Sequence, residues 1–495
     1  MSGLIVAIDQ GTTSSRAVVF DRLGRVVSLC SVPFPQIYPH PGWVEHDPKS
    51  ILSSQIEALQ GAVHMAGDAV ADIESIGIAN QRETTLLWDR STGEPVCNAI
   101  VWQCRRTAPI IEELRAAGLF GEIERRTGLV PDAYFSATKL KWMLDTYGLR
   151  ARAQAGELCF GTVDTFLMWH MLEGRPHLTD VSNAGRTMLL GLDSLEWDGV
   201  LLDRLEIPAT VLPEIRDTIG YFGALDPAIL GRRIPVTAVA GDQQAALFGQ
   251  ACFTPGMLKN TYGTGCFLLK NVGSTPVRGA KGLITCPAWR WRGESVYAME
   301  GSVFVGGAAV QWLRDELGII ARADETEALA RSIADNQGVY LVPAFTGLGA
   351  PYWDMYARGT LIGMTRGTGR AQIARATLES IAYQSMDVIS AMVGGDGSVG
   401  AVRADGGASA NGFLMQFQAD ILNASVERPA VVETTALGAA WMAGLGAGVY
   451  TDYGELSRLW RADLTFKPTM DAAKRDKCVK GWHRAVERAK AWIVD

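Results

Sequence analysis

Asp9, Gly11, Thr12, Thr13, Ser14 and Arg16 crowd into one short stretch, Leu4-Ile-Val-Ala-Ile-Asp9-Gln-Gly11-Thr12-Thr13-Ser14-Ser15-Arg16-Ala-Val-Val-Phe20, between two apolar runs of strand length. A Gly/Thr/Ser turn between strands points backbone N–H groups and hydroxyls outward, a nest of donors suited to phosphate. About half a chain later the pattern returns as Leu258-Lys-Asn-Thr-Tyr262-Gly263-Thr264-Gly265-Cys-Phe-Leu-Leu269. Two such turns, one per half, suit a nucleotide clamped between two related domains. Asp9 ends a buried apolar run beside those hydroxyls and suits Mg²⁺, which keeps much of its water when carboxylates hold it. Arg16 suits phosphate or the pairing of an acid.

Arg82-Glu83 follows the apolar run Ile73 to Ala79 and puts a donor fork beside an acceptor. That pair matches a polyhydroxyl ligand, whose every hydroxyl gives and receives hydrogen bonds, although the local sequence by itself favours a strand-end ion pair. Asp242, after Val236 to Ala240, reads as the N-cap of a helix over 243 to 249 or as a general base on a hydroxyl. Asp405-Gly406-Gly407-Ala408-Ser409-Ala410-Asn411-Gly412 is a Gly turn entering an amphipathic helix, where missing Cβ atoms allow close approach to a nucleoside. Gly395-Asp-Gly397-Ser-Val-Gly400 matches GxGxxG but follows a helix and precedes a strand, the wrong order for a dinucleotide fingerprint, and no GxxxxGK[ST] sequence occurs.

These residues need strand ends to hold them. Residues 4 to 8, 16 to 20 and 25 to 30 predict an antiparallel meander, Asp47-Pro48 starts a helix over 49 to 66, and Ile73 to Ala79 is a buried strand. Strand, helix, strand in that order predicts an α/β sheet with its chemistry at strand ends. A length of 495 residues predicts two domains, with the boundary near Ala251. The clearest helix of the second half spans 370 to 392, with Ala374, Leu378, Ile381, Ala382, Ser385, Val388, Ile389 and Met392 on one stripe.

The net charge of −7 offers no basic footprint for nucleic acid. Eight cysteines form no CxxC pair and the six histidines are scattered, which argues against structural zinc or a disulfide framework. No basic segment followed by an apolar run opens the chain, and no window has the apolar length of a membrane span. A reduced, cytoplasmic compartment is the expectation.

Eight stretches together resemble the glycerol kinases, within the FGGY group of carbohydrate kinases and the actin-like ATPase fold. They are AIDQGTTSSRA (7 to 17), NQRETT (80 to 85), AIVWQCRRT (99 to 107), AGDQQAALFGQ (240 to 250), NTYGTGCF (260 to 267), GAPYWD (349 to 354), RGTLIGMTRGT (358 to 368) and DGGASANGFLMQFQADIL (405 to 422). The resemblance implies an α/β fold of two duplicated, ribonuclease H-like ATPase domains, 1–250 and 251–495, with the active site in the cleft between them. It implies transfer of the γ-phosphoryl group of ATP to glycerol, with Mg²⁺, as the first step of glycerol catabolism. Carried over residue by residue, Arg82, Glu83, Tyr134, Asp242 and Gln243 would bind glycerol, with Trp102 and Phe267 packed on its carbon edge. Asp242 would take the proton of the attacking hydroxyl, and Asp9 and Asp242 would hold the metal. Thr12, Thr13, Ser14, Arg16 and Thr264 would contact the phosphates, and Gly307, Gln311, Gly407 and Asn411 the nucleoside. Members commonly form homodimers or homotetramers.

The chain departs from the family in its control elements. Where some bacterial members bind fructose 1,6-bisphosphate through a GGxxR loop, this chain reads Ile229-Leu-Gly231-Arg232-Arg233-Ile234. Residues 215 to 235 also hold no histidine for a phosphocarrier to modify. Both controls are expected to be absent. Two rival functions share the phosphate turns: a kinase of longer sugars, which needs the space that Trp102, Tyr134 and Phe267 would crowd, and an ATP-driven assembly or chaperone switch. The switch has no need for Gly241-Asp242-Gln243-Gln244 beside an aromatic pocket.

Overall fold

The computed structural model describes every residue except 1, 2, 68, 280, 281, 395, 396, 398, 494 and 495. Gly395, Asp396 and Ser398 of the GxGxxG match therefore lie outside the described residues.

The meander forms as the pattern predicts, in strands Leu4–Gln10, Ser14–Phe20 and Val26–Pro33. Helix Pro48–Met65 follows; the Asp47 carboxylate accepts from Lys49 N, and Pro48 starts the helix where its missing N–H costs nothing. The chain then returns as Ile73–Asn80, parallel to Leu4–Gln10, and Pro235–Gly241 adds on parallel to that. Leu4–Gln10 is buried at every position, as a strand covered on both faces must be. Ile219–Ala224 closes this unit antiparallel to Pro235–Gly241.

The C-terminal half repeats the spatial order of these six strands, with the chain order of the last two reversed. Glu294–Val303, Cys266–Gly273 and Leu258–Tyr262 pair antiparallel in turn, Val402–Asp405 and Val426–Pro429 add parallel, and Ala462–Phe466 closes antiparallel. Ile284–Trp291, paired with Glu294–Val303 and bridged to Ile219, joins both units into one 13-stranded sheet. In the repeat, helix Arg370–Val393 takes the place of Pro48–Met65, and the predicted apolar stripe from Ala374 to Met392 is buried.

In each unit the outer parallel strand leads into a helix, Asp242–Gly249 in the first and Thr434–Gly446 in the second, and the two helices pack on each other. They cross at Gly249 and Gly438, where a Cβ would overlap the carbonyl oxygens of Thr434 and Ala245. Thr434–Gly446 also lies on the N-terminal strands, and Ala436, Trp441 and Ala443 share one core with Ile5, Ala79 and Ala240. A separate core, holding Leu87, Ile100, Phe135 and Leu140, supports the segment that carries Trp102 and Tyr134. Among the described residues no helix is long and apolar enough to cross a membrane.

Candidate active site

Three parallel strands end in register, with Gln10 opposite Asn80 and Asn80 opposite Gly241. That row delivers Asp9, Arg82-Glu83 and Asp242 to one edge of the sheet, at the carboxyl ends of its strands where α/β sheets bind ligands. The loop after Asn80 turns sharply. Glu83 has φ +59°, a left-handed backbone that is rare outside glycine, and Thr84 N donates to Arg82 O across it at 2.7 Å.

Arg82 and Glu83 are buried, but they are not a simple pair: Arg82 Nε lies 3.9 Å from Glu83 Oε1. The Arg82 fork is bidentate on Glu300, with Nη1 to Oε2 at 2.6 Å and Nη2 to Oε1 at 3.0 Å, while Glu83 pairs with Arg186. Arg186 also reaches both Glu300 oxygens at 3.2 Å. Two arginines and two glutamates thus form a closed buried network, and the remaining edge of Arg82 turns outward, its Nε 3.2 Å from Asp242 Oδ1. Burial opposes the charge on Glu300, but the Arg186 and Arg82 guanidiniums outweigh it and bring the carboxyl down to about 2. Burial pushes the Glu83 carboxyl up, against the same two arginines.

The structure corrects the capping expectation for Asp242. The helix starts on Asp242 itself, Gly241 occupies the N-cap position without a side-chain bond, and Asp242 Oδ1 accepts from the adjacent Gln243 N at 2.7 Å. The carboxylate is left partly exposed at the strand end, its side chain 29% accessible.

The aromatic residues converge against the buried network, where the Arg186 guanidinium lies 5.5 Å from the Tyr134 ring centroid. Trp102 meets Tyr134 edge-on at 5.6 Å between ring centroids and Phe267 at 6.4 Å, and its Nε1 donates to Thr12 Oγ1 at 3.0 Å. Trp102 therefore links the first hairpin turn to Phe267, just beyond the second. Both turns close as tight hairpins, Gly11 N donating to Ser14 O at 3.0 Å and Gly263 N to Gly265 O at 2.9 Å. Thr13 and Thr264 are exposed at their tips.

Arg16 serves the acids. It lies 3.7 Å from Asp9 and donates to Glu433 at 2.8 Å, across the two halves. Burial raises the Asp9 carboxyl to about 6, Arg16 opposes that, and the Asp242 and Glu433 charges add to it.

On the C-terminal side, Gly307 N donates to Gly263 O and Gly306 N to Thr264 O, each at 2.8 Å, so helix Gly307–Asp315 begins against the second turn. Gln311 on that helix and Gly407 in the next turn are exposed. Gly406 must be glycine, since its φ is +84° and a Cβ would sit 2.7 Å from Tyr262 O. Asn411 is already engaged: its Oδ1 accepts from Leu414 N at 3.0 Å and its Nδ2 donates to Thr326 Oγ1 at 3.2 Å.

Domain models of the FGGY family of carbohydrate kinases match residues 4–249 with the N-terminal domain and 258–447 with the C-terminal domain. The chain belongs to this family. Among related proteins, this FGGY kinase is 56% identical to a glycerol kinase of Symbiobacterium thermophilum, over 100% of this chain and 99% of the relative. It is 56% identical to glycerol kinase 2 of Thermotoga maritima, over 99% of both chains. A crystal structure of Plasmodium falciparum glycerol kinase with ADP superposes with a TM-score of 0.93 at 35% identity, covering 99% of this chain and 98% of that one.

Three buried charged residues in or near this network escaped the motif reading: Arg186, Glu300 and Lys259. Glu300 follows Tyr297-Ala298-Met299 within its strand, and a lone charge after an apolar run is the signal that marks it; Lys259, between Leu258 and Asn260, carries no such signal. Arg186 follows a short helix and carries no local signal.

Proposed function

We propose that this chain is a glycerol kinase, an ATP:glycerol 3-phosphotransferase yielding sn-glycerol 3-phosphate and ADP. The observation that carries the reading is the partly exposed Asp242 carboxylate 3.2 Å from Arg82, whose buried network reaches the Tyr134 ring through Arg186, with Trp102 joining Tyr134 to Phe267 and to the first phosphate turn. Full-length relatives named glycerol kinase support the same substrate.

Glycerol has a carbon edge and a hydroxylated edge. Trp102 and Phe267 suit the first; Arg82, Glu83, Tyr134, Asp242 and Gln243 suit the second. Asp242 accepts the proton of the attacking primary hydroxyl as its oxygen bonds to the γ-phosphorus, and the bond from phosphorus to the β-bridging oxygen of ATP breaks, releasing ADP. Arg82 steadies the Asp242 carboxylate through Nε, so little reorganisation accompanies the transfer.

Thr12, Thr13, Ser14 and Thr264 offer hydroxyls and turn N–H groups to the phosphates, with Arg16 adding charge at the rim, while Gly307, Gln311, Gly407 and Asn411 face the nucleoside. Asp9 and Asp242 would hold Mg²⁺, which neutralises phosphate charge. The donor set fits: Asp9 is a buried carboxylate raised to about 6, by burial first and with the Asp242 charge contributing, a strain that a divalent cation relieves. Residues 1–250 form the glycerol lobe and 251–495 the nucleotide lobe in this reading, and closing the two excludes water, the competing acceptor. A cytoplasmic homodimer or homotetramer that opens glycerol catabolism is the accompanying expectation, supported by family resemblance.

ADP release measured with glycerol, D-xylulose, D-gluconate or no acceptor tests the substrate. Rapid release is expected with glycerol alone. Equal release without an acceptor, or faster release with a longer sugar, would assign a different function.

A further inference from the structure

Lys259 is fully buried, and the reaction as derived gives it no part. It stands on Leu258–Tyr262, the C-terminal strand that runs straight into Gly263-Thr264. Its ammonium nevertheless leaves its own half. Nζ donates to Gln243 Oε1 in the N-terminal half and to Thr261 Oγ1 at 2.7 Å.

An ammonium has three donors and no acceptor, so only the oxygen of the Gln243 carboxamide can face it. The NH₂ end must then point the other way, and Gln243 Nε2 lies 3.4 Å from Asp242 Oδ2. We propose that Lys259 is a positioning residue that fixes the polarity of the Gln243 carboxamide, so that Nε2 presents its donors to Asp242 and to the acceptor hydroxyl.

The two ends of a carboxamide are nearly the same size, and without an anchor both orientations fit the same space. The flipped orientation sets a carbonyl oxygen against the Asp242 carboxylate and takes the donor away from the substrate. A buried ammonium is costly to desolvate, and an apolar side chain of similar length would fill the position more cheaply. What an apolar chain cannot do is tell Oε1 from Nε2. The anchor also spans the halves: the amide that faces the acceptor is held by the strand that leads to the second phosphate turn, so its orientation depends on the two halves standing in register.

The inference rests on Gln243 as a glycerol ligand. A double-mutant cycle on the full chain tests it, with kcat, the glycerol KM and the ATP KM measured for wild type, Lys259→Met, Gln243→Ala and the pair. Lys259→Met is expected to raise the glycerol KM by ~10-fold or more, the scale of a lost charged-group hydrogen bond, with the ATP KM within about twofold. The double variant is expected to match Gln243→Ala alone, because Lys259 acts through that residue. An unchanged glycerol KM, or effects that multiply, overturns the proposal. Gln243→Glu retains the contact with Lys259 but removes the amide donor, and covers the case in which Lys259→Met does not fold. It is expected to raise the glycerol KM to a similar extent, and a wild-type value overturns the proposal. A wild-type chain with no glycerol-dependent ADP release overturns the functional reading, and this proposal with it; turnover with multiplying effects overturns the proposal alone.

Discussion

Arg82 touches Asp242 with only one edge of its guanidinium, Nε at 3.2 Å from Oδ1, because both Nη atoms are committed to Glu300 at 2.6 and 3.0 Å. The proposed base is therefore oriented by a group that is itself clamped from behind. Lysine keeps the charge and loses the fork, so Arg82→Lys is expected to raise the glycerol KM by ~10-fold or more and to lower kcat as well. Steady-state kinetics with varied glycerol check this, and an unchanged KM removes Arg82 from the ligand set.

Glu300 should govern acid stability. Its carboxyl falls from an ordinary 4.5 to about 2 in the folded chain, where the two arginines outweigh burial. Between those values the unfolded chain binds the proton and the folded chain does not, so stability rises with pH across the window. The contribution is complete above pH 4.5 and is lost as pH falls toward 2, about 3 kcal/mol in all. Glu300→Gln leaves Arg82 and Arg186 undercompensated and should cost about 3–5 kcal/mol at neutral pH. Urea titrations of both chains across that range measure it; parallel curves would contradict the assignment.

Why the sequence yielded some of this and not the rest follows from how each feature is encoded. The hairpin turns, Asp9 and Asp242 sit where an apolar run gives way to Gly, Thr or Asp, a local change that composition marks. Pro48–Met65 and Arg370–Val393 announce themselves by caps and stripes. Glu300 and Arg186 meet across 114 positions, and their partnership exists only once Glu294–Val303 is laid beside the N-terminal unit. The pairing of Arg82 with Glu83, adjacent in sequence, was the natural local expectation, and the left-handed backbone at Glu83 sends the two side chains to different partners. The seat of Thr434–Gly446 on N-terminal strands is also invisible locally, since its small and apolar residues suit any helix interface.

Lys139 gives a second pH signature. Burial pulls its amine down to about 7, against the Glu83 charge, while Nζ donates to the Tyr134 and Phe135 carbonyls. Between pH 7 and the ordinary 10.5 the unfolded chain holds a proton the folded chain has released, so stability climbs with pH over that window. Lys139→Met is expected to abolish the climb, worth up to about 5 kcal/mol. Urea midpoints for both chains from neutral to alkaline pH decide it; the same rise in the variant would show that Lys139 is not its source.

The helix crossing at Gly438 admits no side chain, because a Cβ would overlap the Ala245 carbonyl. Gly438→Ala should push Asp242–Gly249 away from Thr434–Gly446, costing about 1–3 kcal/mol. Since Asp242 opens the displaced helix, kcat should fall too. Thermal melts alongside initial rates check both, and a variant with wild-type melting temperature and rate would show that the crossing yields freely.

Phosphoryl transfer with Asp242 as the base is the centre of the account, and Asp242→Asn tests it most directly. The substitution keeps the size and the contact with Gln243 N while removing the proton acceptor. The account predicts glycerol binding within about threefold of wild type by calorimetry and a kcat for glycerol-dependent ADP release lower by ~10²–10⁴-fold. A variant that turns over at the wild-type rate would contradict it.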